Sequence, residues 1–518
     1  MKEKKEVSKT ESFVENSGWN IIAVLFAKFG GMLFAIILAR FLLPEKFGIY
    51  TLALAITIFS LSLTNGAMNQ TISRYISDSL KSKNKNLATA YFQFVSHIKI
   101  VFSFITITLL IILAYPISIY IFNKPDLLYP LIFFSIYAVF LSAQNLYETV
   151  FYVIGKVKLL TFKELILQFL KLIICFILFF TISASLTSAI FAVTFSSLAA
   201  IIFMRLYLNR YMPFLFKKTN KKFDKVRVKK FIKNSIITSV FSTISDSVDI
   251  ILLGIFVTSE YVGYYSAAFL IVGGFFGLMS LSNLSLPLFT QINKGRTKKV
   301  FESLIKYLSI ISIPLIFGIL ILGKYLLRFL YGYEYIESTL PLIFLSLLIF
   351  ESPITENLKS FLLSKEKPEV IAKIVFVSTI INVSLSVILL FFLSKISMLS
   401  AVLGIATTLI ISRFISLIYL SRYIKNNFGM SYNSKFLIKP IFSSLVMIIP
   451  IILINSQVSN LNFLILALEV LMGVIIYFLM MLLTKGFDKD DISIIKQVFI
   501  RDNNLFHIPL LRRFFVIN

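Results

Sequence analysis

Two carboxylates lie deep inside a long apolar segment, where a charged side chain is costly. They end a polar row that keeps helical spacing on one face: Ser235, Thr238, Ser242, Asp246 and Asp249. A charge at membrane depth costs about 2.5–3.5 kcal/mol on insertion scales, so it normally faces a partner or a cavity. We predict that Asp246 and Asp249 bind a cation or exchange a proton. The alternative is that one acid pairs with a basic residue on a neighbouring helix and only positions that helix.

A second group of polar residues lies within apolar segments in the first half of the chain: Lys28, His97, Lys99, Glu164, Gln168 and Lys171. Glu164, Gln168 and Lys171 share one helix face because they are spaced i, i+4 and i+7. We predict that the group lines a cavity whose cations suit an anionic substrate such as a phosphate or pyrophosphate. The alternative is structural for each residue, since lysines snorkel to the membrane surface and a histidine can pack between helices.

Composition places both groups in a membrane. Hydrophobic residues make up 58% of the chain and charged residues 15%, which lies outside the range of soluble globular proteins. Long apolar runs reach the roughly 20 residues that a helix needs to cross a bilayer. The first run is too long for a signal peptide and is expected to remain as a transmembrane helix. We therefore predict an all-α polytopic membrane protein with about 14 transmembrane helices.

The net charge of +26 is unevenly distributed. Loops between the apolar runs alternate between basic and nearly uncharged, and most of the 51 lysines and arginines fall on one side. This asymmetry follows the positive-inside rule and predicts a multi-pass protein of the cell membrane with both termini in the cytoplasm. A basic surface beside anionic membrane lipids accounts for the charge better than nucleic-acid binding does.

A repeat divides the chain into two similar halves. The segment from Leu38 to Ala53 recurs without a gap from Leu253 to Ala268. The signature residues of the two copies, which we assign structural roles, are Arg40, Pro44, Glu45, Gly48, Tyr50, Glu260, Gly263 and Tyr265. An even number of predicted spans separates the copies, so both enter the membrane from the same side. This predicts two parallel, pseudo-symmetric six-helix lobes related by an axis along the membrane normal.

The predicted segments follow from this division and from the basic loops. They are a cytoplasmic N-terminal leader (1–17), a first lobe (18–206), a basic cytoplasmic linker (207–230), a second lobe (231–423), an appended helix pair (434–484) and a cytoplasmic tail on the membrane surface (485–518). The loops predicted outside are too short to build an extracytoplasmic domain.

Motifs for catalysis and metal binding are not found in the sequence. It has no Walker-type glycine loop for ATP and no histidine pair or Cys/His cluster for zinc. Its one cysteine, Cys175, lies inside an apolar run and cannot form an intramolecular disulfide. We predict that the protein is not an enzyme and has no catalytic residue, cofactor or metal.

Two stretches resemble a known family. Ala39 to Tyr50 (ARFLLPEKFGIY) resembles the first-loop signature of the polysaccharide, or O-antigen type, flippases of the multidrug/oligosaccharidyl-lipid/polysaccharide exporter superfamily. Asp249 to Gly254 resembles the aspartate-to-glycine stretch on the seventh helix of that family. Leu43 departs from the pattern, because the family usually carries glycine before Pro-Glu.

The resemblance implies a two-lobed carrier that moves a polyprenyl-(pyro)phosphate-linked oligosaccharide across the cytoplasmic membrane by alternating access. It also implies coupling to a proton or sodium gradient, for which Asp246 and Asp249 are candidates, and glycan-assembly enzymes as possible partners. On that view Arg40, Pro44 and Glu45 close the outer end of the first hairpin.

Three alternatives stay open. One is a cation-coupled multidrug or small-molecule exporter of the same superfamily. Another is a membrane-bound oligosaccharide polymerase or ligase, which the short outer loops disfavour. The third is a scaffolding partner in an envelope-assembly complex.

Overall fold

The computed structural model describes residues 2–279, 285, 289, 294–430, 435–457 and 463–487, leaving aside some side chains within the helices. The α-helices of these ranges are α1 (Lys2–Lys81), α2 (Lys85–Pro116), α3 (Leu128–Val153), α4 (Val157–Thr181), α5 (Leu186–Tyr211), α6 (Lys225–Phe256), α7 (Ser259–Met279), α8 (Lys294–Leu330), α9 (Thr339–Leu345), α10 (Leu348–Ser364), α11 (Pro368–Leu393), α12 (Met398–Phe428), α13 (Lys435–Gln457) and α14 (Phe463–Leu483). Shorter helical turns cover Ile117–Ile121, Pro125–Leu127, Pro213–Phe216 and Tyr333–Ser338.

Within the described ranges, ten helices are long and apolar enough to cross a membrane, or up to twelve if each bent pair counts as one span. The all-α, multi-pass architecture is thus confirmed, while the predicted count of 14 is not. One reason is that the first two predicted spans lie in the single helix α1, which is broken only at Leu43. The predicted tail falls largely outside the described residues, which end at residue 487.

The helices pack in two groups with a pair added at the side. Helices α1 to α5 pack on one another, and helices α6 to α12 form the second group. Helix α13 packs on α8, and α14 packs on α13 and α8. Contacts between the two groups are concentrated on α1, which runs against both α6 and α7. We call the two groups the first and second lobes.

Equivalent residues of the repeat meet where the lobes touch. The Ser266 hydroxyl donates to Thr51 Oγ1 at 2.9 Å, and the two residues are 215 positions apart, the offset of the repeat. A Cβ on Gly48 would collide with the Ser259 carbonyl, and one on Gly263 would collide with that of Pro44. These two contacts are reciprocal, as in an isologous interface, so the pseudo-twofold axis runs between the two copies. We call this end of the molecule the hairpin end.

Two further hydrogen bonds join the lobes at the hairpin end. The Tyr335 hydroxyl donates to the Ala39 carbonyl at 2.9 Å. The Lys124 ammonium donates to the carbonyls of Gly254 at 2.5 Å and Val257 at 2.8 Å. The carbonyls at a helix end lack partners within the helix, so a lysine of the first lobe caps α6 of the second. Burial lowers the pKa of Lys124 from its usual value, while these carbonyls stabilise its charged form.

The lobes also touch farther from the hairpin end. A Cβ on Gly66 of α1 would collide with the Ser239 side chain of α6. A Cβ on Gly277 of α7 would lie 3.0 Å from the Lys28 side chain of α1. The first two helical segments of the chain therefore follow the second lobe over much of their length.

The break in α1 occurs at a residue with an unfavourable backbone conformation. Leu43 has φ 63° and ψ 169°, a region populated almost only by glycine. Its side chain is 54% exposed, so little buried contact offsets the strain. Leu43 is also the position where the family pattern in the sequence analysis has glycine, and the bend that starts the hairpin explains why glycine suits it.

Leu43→Gly is expected to stabilise the protein by about 1 kcal/mol, because it relieves the strained backbone and removes an exposed side chain. The measurement is thermal unfolding of the detergent-purified protein. Gly429→Ala, at a glycine with φ 65° and nothing within 4 Å of its Cβ position, is the opposite control and should destabilise. A Leu43→Gly variant that unfolds at a lower temperature than the unchanged protein would contradict this account.

Candidate functional site: a polar cavity in the first lobe

A cavity of about 330 Å³ lies within the first lobe and reaches the lobe boundary. Its wall comes from α1, α3, α4 and α5, and Leu270 of α7 closes it from the second lobe. The polar side chains that line it are Tyr50, Thr51, Tyr137, Gln144, Glu164, Gln168, Lys171 and Ser197. We call it the central cavity. Its size is typical of small-ligand sites, and its wall belongs mainly to one lobe.

Glu164 and its neighbour Glu148 are held by one lysine. Lys163 Nζ lies 2.7 Å from Glu148 Oε1 and 2.6 Å from Glu164 Oε2. Gln144 donates to Glu148 at 2.8 Å, and Gln168 donates to Glu164 at 2.7 Å. Both acids are therefore held beside the cavity, and because one ammonium balances only one of the two negative charges, the cluster keeps a net charge of −1. Sequence reasoning missed Glu148 and Lys163, because only the packing of α3 against α4 brings them together.

Lys171 lines the same cavity outside these salt bridges, although Glu164 acts on it electrostatically from a greater distance. Its side chain is 7% exposed, and its ammonium lies 4.7 Å from the centre of the Phe34 ring. Within the described part of the chain, no carboxylate lies within 4 Å of Lys171, in contrast to Lys163. A cation on an aromatic face with no acid partner can accept an anion with little rearrangement.

The remaining candidates of the first half lie elsewhere. Lys28 is exposed and packs toward Gly277 at the lobe boundary. His97 is exposed on α2. Lys99 lines a separate cavity. Depth along a helix was readable from the sequence, but the direction of each side chain around the helix was not, and α2 packs on α1 and α3 instead of α4.

Asp249 lies at the centre of a second polar site, inside the second lobe. Asn382 donates to Asp249 Oδ1 at 3.0 Å, and the Tyr265 hydroxyl donates to Oδ2 at 3.4 Å. The Ser386 hydroxyl donates to Asn382 Oδ1 at 3.5 Å and lies 2.7 Å from the Thr408 hydroxyl, which extends the network. Arg413 acts electrostatically on Tyr265. The side chain of Asp246, the other predicted acid, lies outside the described part of the structure. Among described residues no cluster of three or more His, Cys, Asp or Glu side chains could hold a metal ion.

The signature residues lie in different places, some in the lobe contact, some at the two sites and some on the surface. Pro44, Gly48 and Gly263 lie in the hairpin-end contact, whereas Arg40 and Glu45 are exposed. The Glu260 carboxylate accepts a hydrogen bond from Tyr264 at 2.7 Å. Tyr50 lines the central cavity, and its counterpart Tyr265 contacts Asp249. One repeated tyrosine therefore serves a different polar site in each lobe.

Substitution of Lys163 should destabilise the protein more than the same substitution of Lys171. Lys163→Met leaves two partly buried carboxylates unpaired and is expected to cost about 3 kcal/mol of stability. Lys171→Met breaks no salt bridge among the described residues, so the change in stability should stay within about 1 kcal/mol. Thermal unfolding of both purified variants measures this difference. Equal destabilisation by the two substitutions would show that Lys171 also holds an acid in place.

The sequence of this chain is similar to that of a known protein family. A sequence model of the family described as polysaccharide biosynthesis protein matches residues 13–293. No curated protein sequence matches the chain significantly.

Solved structures share the fold at low sequence identity. The lipid II flippase MurJ in an inward closed conformation superposes with a TM-score of 0.72 at 15% identity, over 93% of this chain and 99% of that chain. An inward-facing multidrug resistance MATE family transporter of the MOP superfamily gives 0.61 at 13% identity, over 78% and 95%. A MOP superfamily transporter from Pyrococcus furiosus gives 0.55 at 13% identity, over 80% and 96%. The family model covers more than half of the sequence, so this multi-pass membrane protein belongs to the polysaccharide biosynthesis protein family.

Proposed function

We propose that this protein moves a lipid-linked oligosaccharide from the cytoplasmic to the outer leaflet of the cell membrane by alternating access. The observation that carries the proposal is Lys171, a buried ammonium with no carboxylate within 4 Å in the described part of the chain, in a first-lobe cavity that reaches the lobe boundary. A (pyro)phosphate head would bind there by charge-assisted hydrogen bonds. Membership of a polysaccharide biosynthesis family and the fold shared with a lipid flippase support the same class of substrate.

A substrate with a polar head and a hydrocarbon tail suits a two-lobed carrier. A sugar–(pyro)phosphate head cannot enter hydrocarbon without losing its hydration, whereas a polyprenyl tail never needs to leave the lipid. The head would occupy the central cavity while the tail extends between the lobes. Release on the far side requires the hairpin-end contacts, including those of Lys124 and Tyr335, to separate.

Sidedness follows from the charge distribution. The basic linker and both termini would face the cytoplasm under the positive-inside rule, which puts the hairpin end outside. Enzymes that assemble the glycan on its lipid carrier would supply the substrate on the cytoplasmic side.

Asp249 is our candidate for coupling transport to an ion gradient, together with Asp246. Its carboxylate is 7% exposed and receives donors from α7 and α11. Carboxylate, amide and hydroxyl oxygens are suitable ligands for a small cation, and a carboxylate can also carry a proton. Either event would change the charge at the centre of the second lobe and could bias its position.

The test is a flipping assay in proteoliposomes. The purified protein is reconstituted with a fluorescent polyprenyl-pyrophosphate oligosaccharide, and the label that reaches the opposite leaflet is quenched. Lys171→Met should slow flipping at least about tenfold, whereas Lys373→Met, at an exposed lysine of α11, should not. Liposomes that move a cationic dye but no lipid-linked glycan would favour the multidrug exporter instead.

Asp249→Asn tests whether this residue couples flipping to an ion gradient or only stabilises the fold. The amide keeps an oxygen for Asn382 but removes the charge, so flipping should continue without stimulation by a proton or sodium gradient. The measurement compares flipping rates with and without each gradient, and thermal unfolding of the variant serves as the folding control. Gradient stimulation equal to that of the unchanged protein would exclude Asp249 as a coupling residue.

A further inference from the structure

A second cavity of about 390 Å³ opens on the side of the first lobe, between α2, α3 and α5. It shares no lining residue with the central cavity. Ile100 and Phe104 on its edge are 55% and 60% exposed, as expected of side chains that face lipid in a membrane protein. We call it the lateral pocket, and it plays no part in the proposed transport path.

The buried cation of this pocket is Lys99. Its side chain is 2% exposed, and its ammonium donates to Asn69 Oδ1 at 2.9 Å. An ammonium carries three N–H donors, and within the described part of the chain no carboxylate lies within 4 Å of it. Ser96, one turn earlier on the same pocket wall, has a buried hydroxyl without a hydrogen-bond partner. Two adjacent polar groups are therefore buried with unused hydrogen-bonding capacity, which is costly unless a ligand uses it.

A second cation stands at the rim of the pocket. The guanidinium of Arg205 lies 3.4 Å from the centre of the Phe216 ring. Phe216 belongs to the turn Pro213–Phe216, which is fixed to α2 by the Thr89 hydroxyl bonding to the Phe214 carbonyl at 3.0 Å. Arg205 is exposed and likewise has no carboxylate within 4 Å among the described residues. The turn thus holds the planar guanidinium of Arg205 in place at the pocket mouth.

Polarity changes along the length of the pocket. Arg205 and Ser96 lie toward the linker end of the helices, Lys99 follows, and Ile107 with Val139 lies deepest in the apolar part. Lys99 and Ile107 are two turns apart on α2, about 12 Å at 1.5 Å per residue. Between them the hydroxyls of Ser103 and Ser142 bond to each other at 2.8 Å and need no ligand. A ligand that fits this order has an anionic head near the membrane surface and a hydrocarbon chain toward the bilayer centre.

We propose that the lateral pocket binds one anionic phospholipid, with its phosphate between Lys99 and Arg205 and part of an acyl chain against Ile107 and Val139. The exposed edge at Ile100 and Phe104 lets the rest of the lipid remain in the bilayer. The bound phosphate pairs the Lys99 charge and satisfies the Ser96 hydroxyl, so occupancy stabilises the first lobe. Lys99 then serves lipid binding instead of the substrate cavity to which its depth in the sequence assigned it.

Native mass spectrometry of the delipidated full chain tests this with phosphatidylglycerol as the probe. The unchanged protein should retain one phosphatidylglycerol more tightly than phosphatidylcholine, which has no net charge. Lys99→Met and Arg205→Gln should each weaken retention at least about tenfold. Ala143→Leu fills the pocket without removing a charge and should weaken retention to the same extent. This result would show that the lipid binds in the pocket itself and is not merely attracted by the charge of the protein.

Lys171→Met is the matched control, because it removes the same charge from the central cavity. It should retain phosphatidylglycerol like the unchanged protein. Loss of the lipid in Lys171→Met but not in Lys99→Met would place the lipid in the central cavity and overturn the proposal. Equal retention of phosphatidylcholine, or binding of oleate but not phosphatidylglycerol, would overturn it as well. None of these outcomes depends on whether the protein moves a glycan.

Discussion

Close contact between two copies of one hairpin organises this molecule. Gly48 and Gly263 leave room for the opposing carbonyls of Ser259 and Pro44, and a larger side chain at either glycine would push the lobes apart. Since equivalent residues meet, the pseudo-twofold axis passes through this contact, and the lobes can separate at this end only by breaking it. The central cavity begins directly beside it, with Tyr50 and Thr51 in its wall.

The placement of charged side chains within the membrane reflects the free-energy cost of leaving a charge unpaired there. Lys163 holds two carboxylates and acts as a structural residue. Among the described residues no carboxylate lies within 4 Å of Lys171 or Lys99, and the two lysines line different cavities of the first lobe, one that reaches the lobe boundary and one open at its side. This separation allows one lobe to bind a transported anion and a resident lipid through the same kind of side chain. Asp249, in the other lobe, accepts hydrogen bonds from Tyr265 on α7 and Asn382 on α11.

The sequence alone predicted the helices that long apolar runs indicate and the hairpins that the repeat marks. The apolar runs indicated an all-α membrane protein, and the repeat identified the hairpins that meet at the axis. The departure at Leu43 was also visible, although only the φ of 63° explains why the family prefers glycine there. What the sequence could not supply was the direction of side chains around each helix. For that reason it grouped His97 and Lys99 with Lys171, and it missed Glu148 and Lys163, which depend on how α3 packs against α4.

The central claim is that transport requires the two hairpins to separate, and a reversible cross-link tests it most directly. Thr51 and Ser266 bond through their hydroxyls at 2.9 Å, so cysteines at both positions can form a disulfide, with Cys175→Ala removing the one native cysteine. We expect the oxidised double variant to lose flipping in proteoliposomes and to regain it on reduction, while each single cysteine variant remains active. Flipping at the unchanged rate by fully cross-linked protein would contradict the account.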